Sequence, residues 1–152
     1  MVIKEEKGMP NYQELIELIN AGWPTQFGDK NDYEKIKEME KSHNKRTDTV
    51  KYLIDQNEII GWYRYSLWPR DKQNTTTVHT LDISILPSHQ KQGLGTVLMK
   101  DMIQDCKNKG IKKILSRSFE NNPGSIKLHQ SIGFTEHLRT EDSIVWEYNI
   151  DS

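Results

Sequence analysis

The sequence has almost no cysteine, since Cys106 is the only one among 152 residues. A single thiol cannot form a disulfide within the chain, and it cannot supply the several thiolates of a cysteine-rich zinc site. The protein must therefore be stabilised by an ordinary core. A chain of about 150 residues buries close to 70% of its unfolded surface, which is enough for this purpose. We expect one domain over residues 1–152.

Long apolar runs and an excess of one charge are missing as well. No segment approaches the roughly 20 apolar residues of a membrane-spanning helix, and the charged segment 1–7 has no apolar signal-peptide region. Lys and Arg number 21 against 22 Asp and Glu, so no basic field attracts nucleic acid or an anionic membrane. We expect a cytoplasmic protein that binds neither.

What the sequence does contain is a mixture of short periodic elements. Seven segments have strand character: 2–6, 50–54, 59–68, 75–86, 111–119, 134–139 and 143–150. Four segments have the spacing of amphipathic helices: 12–20, 32–41, 94–109 and 122–133. The second and third strands form a predicted hairpin in which Gly61 marks a bulge. This order, with helices first, antiparallel strands next and then β-α-β-α before two closing strands, predicts a mixed α/β domain.

The segment from Ile83 to Thr96 carries the most chemical information. A strand ends at Pro87, and a loop with Gly93 and Gly95 then opens a helix. The start of a helix offers unpaired N–H donors and the positive end of its dipole, which together bind anions. Neither the third glycine of a Rossmann turn nor the Gly-Lys-Ser/Thr of a Walker loop is present. By glycine spacing alone, the loop is either a phosphate cradle or a tight turn without a ligand.

Two wider patterns resemble the GNAT superfamily of N-acetyltransferases. The aliphatic-x-aliphatic-x-Pro and Gln-x-x-Gly-x-Gly run of residues 83–95 resembles the family's acetyl-CoA-binding segment. Residues 122–134, Asn-Pro-Gly-Ser-Ile-Lys-Leu-His-Gln-Ser-Ile-Gly-Phe, resemble its second segment at the usual separation. The resemblance covers residues 75–150. It implies a mostly antiparallel central sheet with flanking helices, in which two parallel strands, 75–86 and 111–119, splay apart around the pantetheine.

The resemblance also implies which residues hold acetyl-CoA, the acyl donor. The pantetheine amides would pair with the backbone of Ile83, Ser84 and Ile85. The pyrophosphate would be held by the loop and helix start: Gln90, Lys91, Gln92, Gly93, Leu94, Gly95 and Thr96. Asn122 would contact the CoA arm as well as cap its helix. Ser125 and His129, one helical turn apart on a shared face, complete the predicted set.

His129 is the clearest departure from the family pattern, which usually has a tyrosine at this position. The tyrosine often gives a proton to the departing thiolate of CoA. We hypothesise that His129 points at the sulfur and acts as an acid or a hydrogen-bond donor, since histidine suits proton transfer near pH 7. The alternative is that His129 only lines the CoA tunnel.

A general base is also needed, because an amine attacks a thioester only when it is deprotonated. His79 is the candidate, since some family members have Glu or His at this position. Strand alternation predicts that His79 shares a face with Leu81, Ile83 and Ile85 and that Asp82, a second candidate, faces the other way. A structural role for His79 is the alternative. Arg117 stands where relatives that act on protein N-termini carry a catalytic Glu.

The acceptor amine is not identified by the sequence. Five aromatic residues fall in the segments that build the family's acceptor pocket, and we expect at least three of them to be core residues: Trp23, Phe27, Tyr63, Tyr65 and Trp68. No acidic patch predicts a polycationic acceptor, while Arg64 and Arg70 leave a carboxylate-bearing acceptor open.

We therefore predict an acetyl-CoA-dependent N-acetyltransferase that acts on a primary amine of a small molecule or a peptide. Cys106 lies on the apolar stripe of its helix and is predicted to be core, which favours direct attack in a ternary complex over an acyl-cysteine route. A non-catalytic acyl-CoA-binding or sensing module with the same fold is the alternative. A nucleotide-binding protein depends on the glycine loop alone, and a homodimer stays open.

Overall fold

The computed structural model describes residues 1–6, 47–69, 72 and 74–150. The predicted helices 12–20 and 32–41 lie outside the described residues, as do Trp23, Phe27 and Arg70. The described strands and helices, in chain order, are β1 (Val2–Glu6), β2 (Asp48–Asp55), β3 (Glu58–Leu67), β4 (Thr77–Ile85), α1 (Leu94–Asn108), β5 (Lys113–Phe119), α2 (Pro123–Ile132), β6 (Thr135–Arg139) and β7 (Ser143–Asn149).

The described strands form one seven-stranded sheet in the order β1-β2-β3-β4-β5-β7-β6. All neighbouring strands are antiparallel except β4 and β5, which are parallel and joined by α1. A parallel pair needs such a crossover connection, because the chain must return to the same end of the sheet. The predicted mixed α/β fold with one parallel pair is confirmed.

The parallel pair is short, and this shortness creates an opening in the sheet. The ladder between β4 and β5 joins Thr77–Lys113, Val78–Ile114 and His79–Leu115, and it ends there. Both strands continue beyond it, β4 to Ile85 and β5 to Phe119. The two strands therefore diverge from residues 80 and 116 onward, as the predicted splay requires.

Helix α1 covers one face of the sheet with an apolar stripe. Leu94, Leu98, Met102 and Cys106 recur every four residues and are buried, as the sequence predicts. They pack with residues of β3, β4 and β5, including Val78 and Ile114, in the main core cluster. Helix α2 packs on the same face, because its His129 contacts Ser116, which alternates with Ile114 on β5.

Two β-bulges, one in β3 and one in β4, interrupt the alternation of side chains between the two sheet faces beside the opening. In β3, Gly61 pairs with Leu53 while Ile59 pairs with Ile54, so the predicted bulge at Gly61 lies one residue away, at Ile60. Gly61 permits close approach to β4, since a Cβ there would lie 3.0 Å from the Ser84 carbonyl oxygen and 2.6 Å from Ile85 Cδ1.

The second bulge, at Leu81 in β4, was not predicted and corrects the assigned faces. Tyr65 pairs with Thr80 and Arg64 with Asp82, which leaves Leu81 as the extra residue. His79 and Asp82 therefore lie on the same face, opposite α1, whereas Ile83 lies on the face of α1. The prediction that His79 shares a face with Ile83, and that Asp82 faces away from it, is wrong because strict alternation fails at a bulge.

No helix within the described ranges is both long enough and apolar enough to span a bilayer.

Candidate active site

A cavity of about 900 Å³ lies where β4 and β5 diverge. Its walls are β4 from His79 to Ile85, the loop before α1 together with the first turn of α1, β5 from Ser116 to Phe119, and one side of α2 with its N-cap residue, from Asn122 to Ser131. Because the cavity occupies a gap in the sheet, residues of both sheet faces line it. A ligand can therefore be held from the α1 side while a second molecule approaches from the opposite side.

The start of α1 gives this cavity an anion-binding wall. Gly93 is the N-cap residue, has φ of +76° and offers no side chain to cap the helix. The first intrahelical bond runs from the Val97 N–H to the Gly93 carbonyl, so the N–H groups of Leu94, Gly95 and Thr96 have no acceptor inside the helix. Such groups, with the helix dipole, bind phosphate.

The loop before α1 is tied to the end of β4. The Gln90 side-chain amide donates to the Ile85 carbonyl oxygen at 2.9 Å. Gly95 packs beside α2, since a Cβ at this position would lie 3.4 Å from Leu128 Cδ2, in ordinary van der Waals contact. The loop that the sequence predicts as a phosphate-binding loop is thus in contact with β4 through Gln90 and, through Gly95 of the first turn of α1, with α2.

Most of the predicted acetyl-CoA-binding residues line the cavity. They are Ile83, Ser84, Ile85, Gln90, Lys91, Gly93, Leu94, Gly95, Thr96, Asn122 and Ser125. Asn122 also caps α2, since its side-chain oxygen accepts the Ser125 N–H at 3.1 Å. Gln92 and His129 are not among the lining residues. Of the two predicted catalytic residues, His79 lines the cavity.

His129 lies one layer behind the cavity wall and is fully buried. Its ring stacks on Trp146 at a centroid distance of 5.6 Å and meets the edge of Phe134 at 5.0 Å. Its Nδ1 is 2.7 Å from the Ser125 carbonyl oxygen, which only accepts, so Nδ1 carries the hydrogen. Its Nε2 then accepts from Ser116 Oγ at 2.7 Å. Burial lowers the pKa of this imidazole.

Three serines connect His129 with the cavity. Ser116, Ser118 and Ser125 all line the cavity, and each has a polar atom near a ring nitrogen. Ser118 Oγ accepts the Trp146 Nε1–H at 2.9 Å, so its own hydrogen is available to another acceptor, such as Ser125 Oγ at 2.8 Å. Ser116 and Ser118 were not predicted as functional residues, although small polar residues that alternate with Ile114 on a core-facing strand are a usable signal.

His79 lies at the other side of the cavity, opposite α1. Its Nδ1 is 2.8 Å from the Thr80 carbonyl oxygen and therefore donates to it. That bond leaves the lone pair on Nε2. Burial lowers the pKa of His79, and the charge of Arg117 lowers it further. The imidazole is consequently neutral near pH 7, the state that a general base requires.

Asp82 is occupied by an ion pair. Its carboxylate contacts Arg64 Nη2 at 2.9 Å and Nε at 3.1 Å, and each side chain is 7% exposed. A carboxylate held in this way by a guanidinium is a poor proton acceptor. Of the two base candidates on β4, His79 is the one that is not engaged by a cation through a direct ion pair.

Three of the predicted aromatic residues fall within the described part of the chain. Tyr63 and Tyr65 are buried, and their hydroxyls bond Asp101 and Asp105 of α1, so both belong to the core as expected. Trp68 is 41% exposed, and its ring lies 5.2 Å from the His79 ring. Trp68 is thus the one of these three whose ring lies beside His79, a residue of the cavity wall.

Comparison with known proteins agrees with this geometry. Residues 12–134 match the model of the Acetyltransferase (GNAT) family. The chain is similar to the ribosomal protein bS18-alanine N-acetyltransferase of Escherichia coli (strain K12), 31% identical over 55 residues, which are 36% of this chain and 37% of that protein. It is also similar to a probable spermine N(1)-acetyltransferase of Bacillus subtilis subsp. natto, 33% identical over 85 residues, 54% of this chain and 56% of that one.

These alignments span less than two thirds of either relative. A solved GNAT family acetyltransferase from Elizabethkingia anophelis with acetyl-CoA bound has the same fold, with a TM-score of 0.72 at 21% identity over 98% of this chain and 97% of that one. The family match covers most of the sequence and includes β2, β3, β4, α1, β5 and α2. The chain belongs to the acetyltransferase (GNAT) family.

Proposed function

We propose that the protein transfers an acetyl group from acetyl-CoA to a primary amine of a small molecule or a peptide by direct attack in a ternary complex. The observation that carries this proposal is the cavity in the sheet. It has an uncapped helix start on one side and a neutral histidine on the other. A phosphate-bearing donor and an amine can meet there from opposite faces.

The described residues fit acetyl-CoA as the donor. The N–H groups at the start of α1 suit its pyrophosphate, and the divergent part of β4 suits the amides of its pantetheine, which binds as an extended chain along a strand. Acetyl-CoA supplies the activated thioester. The relative from Elizabethkingia anophelis contains this molecule, which supports the proposal for this chain.

His79 is the proposed general base. As the amine nitrogen bonds to the carbonyl carbon and the carbon–sulfur bond breaks, the amine proton passes to His79 Nε2, directly or through water. Negative charge that develops on the carbonyl oxygen meets backbone N–H groups of β4. The thiolate leaves as an anion and takes a proton from solvent after release, and His79 returns the amine proton to solvent, which balances the reaction.

Cys106 is not part of the proposed route. It is buried, and that burial raises the pKa of its thiol to about 12, so almost no thiolate exists at pH 7. Direct attack by the amine on the thioester is therefore the proposed route. A cytoplasmic location belongs to the same proposal, since a single buried thiol suits a reducing compartment.

His129 is proposed to act on the thiolate through the serines. Its Nε2 takes the only hydroxyl hydrogen of Ser116, and its Nδ1–H lies 3.2 Å from Ser118 Oγ, so Ser118 accepts from the core side. Trp146 donates to Ser118 and thereby directs the Ser118 hydroxyl hydrogen away from the core. An oriented hydroxyl on the cavity wall can donate to a departing sulfur. His129 is in this proposal a positioning residue rather than the proton donor itself.

Replacing His129 by phenylalanine should lower kcat about tenfold, the size of one lost hydrogen bond. It should also change stability with pH. The folded protein holds the imidazoles of His129 and His79 neutral, with pKa values lowered by burial, whereas the unfolded chain protonates them at about 6.5. The free energy of unfolding therefore falls as pH drops below 6.5 in the wild type.

Denaturant titrations at pH 7 and pH 5 should show a smaller difference for His129→Phe than for the wild type. The His79 contribution would remain in the variant, beside a small contribution at pH 5 from Asp105 and Glu147, whose carboxyl pKa values are lowered by their hydrogen-bonded partners. An unchanged kcat together with an unchanged pH difference would contradict both the positioning role and the buried neutral state of His129.

The proposed function is tested by thiol release from acetyl-CoA with a panel of amines, amino acids, polyamines and short peptides, beside thermal unfolding with added acetyl-CoA. Acceptor-dependent thiol release would establish the transferase. A raised Tm without release for any acceptor would favour an acyl-CoA-binding module with this fold. An unchanged Tm would contradict the assignment of the α1 start as the phosphate site.

A further inference from the structure

The two relatives named above act, by their names, on an alanine of a ribosomal protein and on spermine, which differ greatly in charge. Charged residues on the cavity wall opposite α1 would interact differently with such classes. We propose that Arg117 selects acceptors that carry a carboxylate close to the amine, as free amino acids do. This inference rests on the proposed transferase function and names its acceptor class.

The strand register places Arg117 on the acceptor side. His79 pairs with Leu115 across the parallel ladder, so these two side chains share a face. Arg117 follows Leu115 by two residues on β5, which pairs with β7 without a bulge, and therefore lies on the same face. Ser116 and Ser118, by contrast, face His129 on the α2 side.

Arg117 and His79 also line the same cavity, and they interact electrostatically. Both residues line the cavity on the face opposite α1, and the charge of Arg117 contributes to the lowered pKa of His79. A molecule in the cavity whose amine lies at His79 can therefore extend toward Arg117. The exposed ring of Trp68, 5.2 Å from His79, offers an apolar surface beside the same position.

The charge of Arg117 is not neutralised within the described residues. Arg117 is exposed, and no described carboxylate lies within ion-pair distance of it. Other surface cations of the same sheet are paired, as Lys113 is with Glu147 at 3.0 Å and Arg139 with Glu136 at 2.7 Å. The acidic side chain in the cavity wall, Asp82, is bonded to Arg64.

This charge pattern fits a carboxylate and disfavours a polyamine. A guanidinium presents parallel N–H groups that match the two oxygens of a carboxylate. A polycation would meet Arg117 with no free acidic group in the described wall to offset the repulsion. The guanidinium also lowers the pKa of an amine bound next to it, which increases the fraction that is ready to attack.

The test compares ten amino acids, each as the free acid and as its amide, together with spermine, at saturating acetyl-CoA. The full chain should acetylate the free acids with kcat/KM about ten- to a hundredfold higher than the amides, the effect of one charge-assisted pair of hydrogen bonds. Arg117→Ala should bring this ratio close to one by raising KM for the acids. Arg117→Lys should restore part of it.

Arg139→Ala is the matched control, since it removes an exposed arginine of β6 outside the cavity, and it should keep the wild-type ratio. Equal use of acids and amides by the wild type, or a preference for spermine, would overturn the inference while leaving the transferase intact.

Calorimetric binding of the same acids and amides to the CoA-saturated protein does not depend on turnover. Arg117-dependent binding of acids without any thiol release would keep this inference and contradict the proposed function. Binding that ignores both the carboxylate and Arg117 would overturn the inference even when no acceptor reacts.

Discussion

Replacing His79 by glutamine should lower kcat at pH 7 by about 10²- to 10⁴-fold, the range that a general base contributes. Glutamine is of similar length and places an amide near the position of Nε2, but it has no basic nitrogen. The loss would therefore report proton transfer rather than the shape of β4. Acetyl-CoA should still raise the Tm of the variant, because the donor wall of the cavity lies at α1.

The pH profile gives this prediction its sharpest form. The pKa of His79 is lowered by burial and by Arg117, so the wild-type kcat should fall only below pH 6.5 as the base is protonated. The glutamine variant should lose this descent. His137→Gln is the matched control, because His137 lies on β6 and outside the cavity wall. A kcat of His79→Gln within twofold of the wild type would exclude the base role.

The elements around the cavity could be predicted because their signals are local. Apolar residues at every fourth position specify α1, and Asn122 before Pro123 specifies the start of α2. The glycines of the loop indicate an anion site at the α1 start. These features depend on residues that are close in sequence, so they can be recognised from the sequence without knowing the tertiary structure.

The face of His79 could not be predicted, because it depends on pairing between strands. The extra residue Leu81 is defined only by the register of β3 against β4. Nothing in the local pattern from residue 77 to residue 85 marks it. A shift of one residue moves every later side chain to the other face, so an error at this point reverses the assignment of His79 relative to Ile83.

The environment of His129 could not be predicted from the sequence for a related reason. Its position on α2 is local, but its partners Ser116, Ser118 and Trp146 come from β5 and β7. Only the tertiary structure shows that the ring is buried and neutral. The sequence shows that His129 replaces the family's usual tyrosine. The structure shows that both ring nitrogens of His129 have hydrogen-bond partners in the core.

Replacing Asp82 by alanine should destabilise the protein by about 3–5 kcal/mol, the usual cost of removing one member of a buried ion pair. Arg64 is 6% exposed, and its Nη1 already has no hydrogen-bond partner. Without Asp82 its full charge would remain buried. The free energy of unfolding of a native protein is typically about 5–15 kcal/mol, so the variant would lose a large share of it. Thermal unfolding should show a fall in Tm of roughly 6–20 °C.

Two further variants separate the ion pair from a general loss of packing. Glu136→Ala removes the exposed pair with Arg139 and should change stability by no more than about 0.5 kcal/mol. Arg64→Met combined with Asp82→Leu should recover most of the loss, because apolar residues of similar size need no charge partner. An Asp82→Ala protein within 1 kcal/mol of the wild type would contradict this argument.

The same pair links stability to activity, because Arg64 and Asp82 join β3 to β4 on the face that carries His79. The double variant should therefore regain acceptor-dependent thiol release together with its Tm, if the pair only holds β4 in place. A double variant that regains its Tm but not its thiol release would show that the Asp82 carboxylate or the Arg64 charge also acts on the reacting groups.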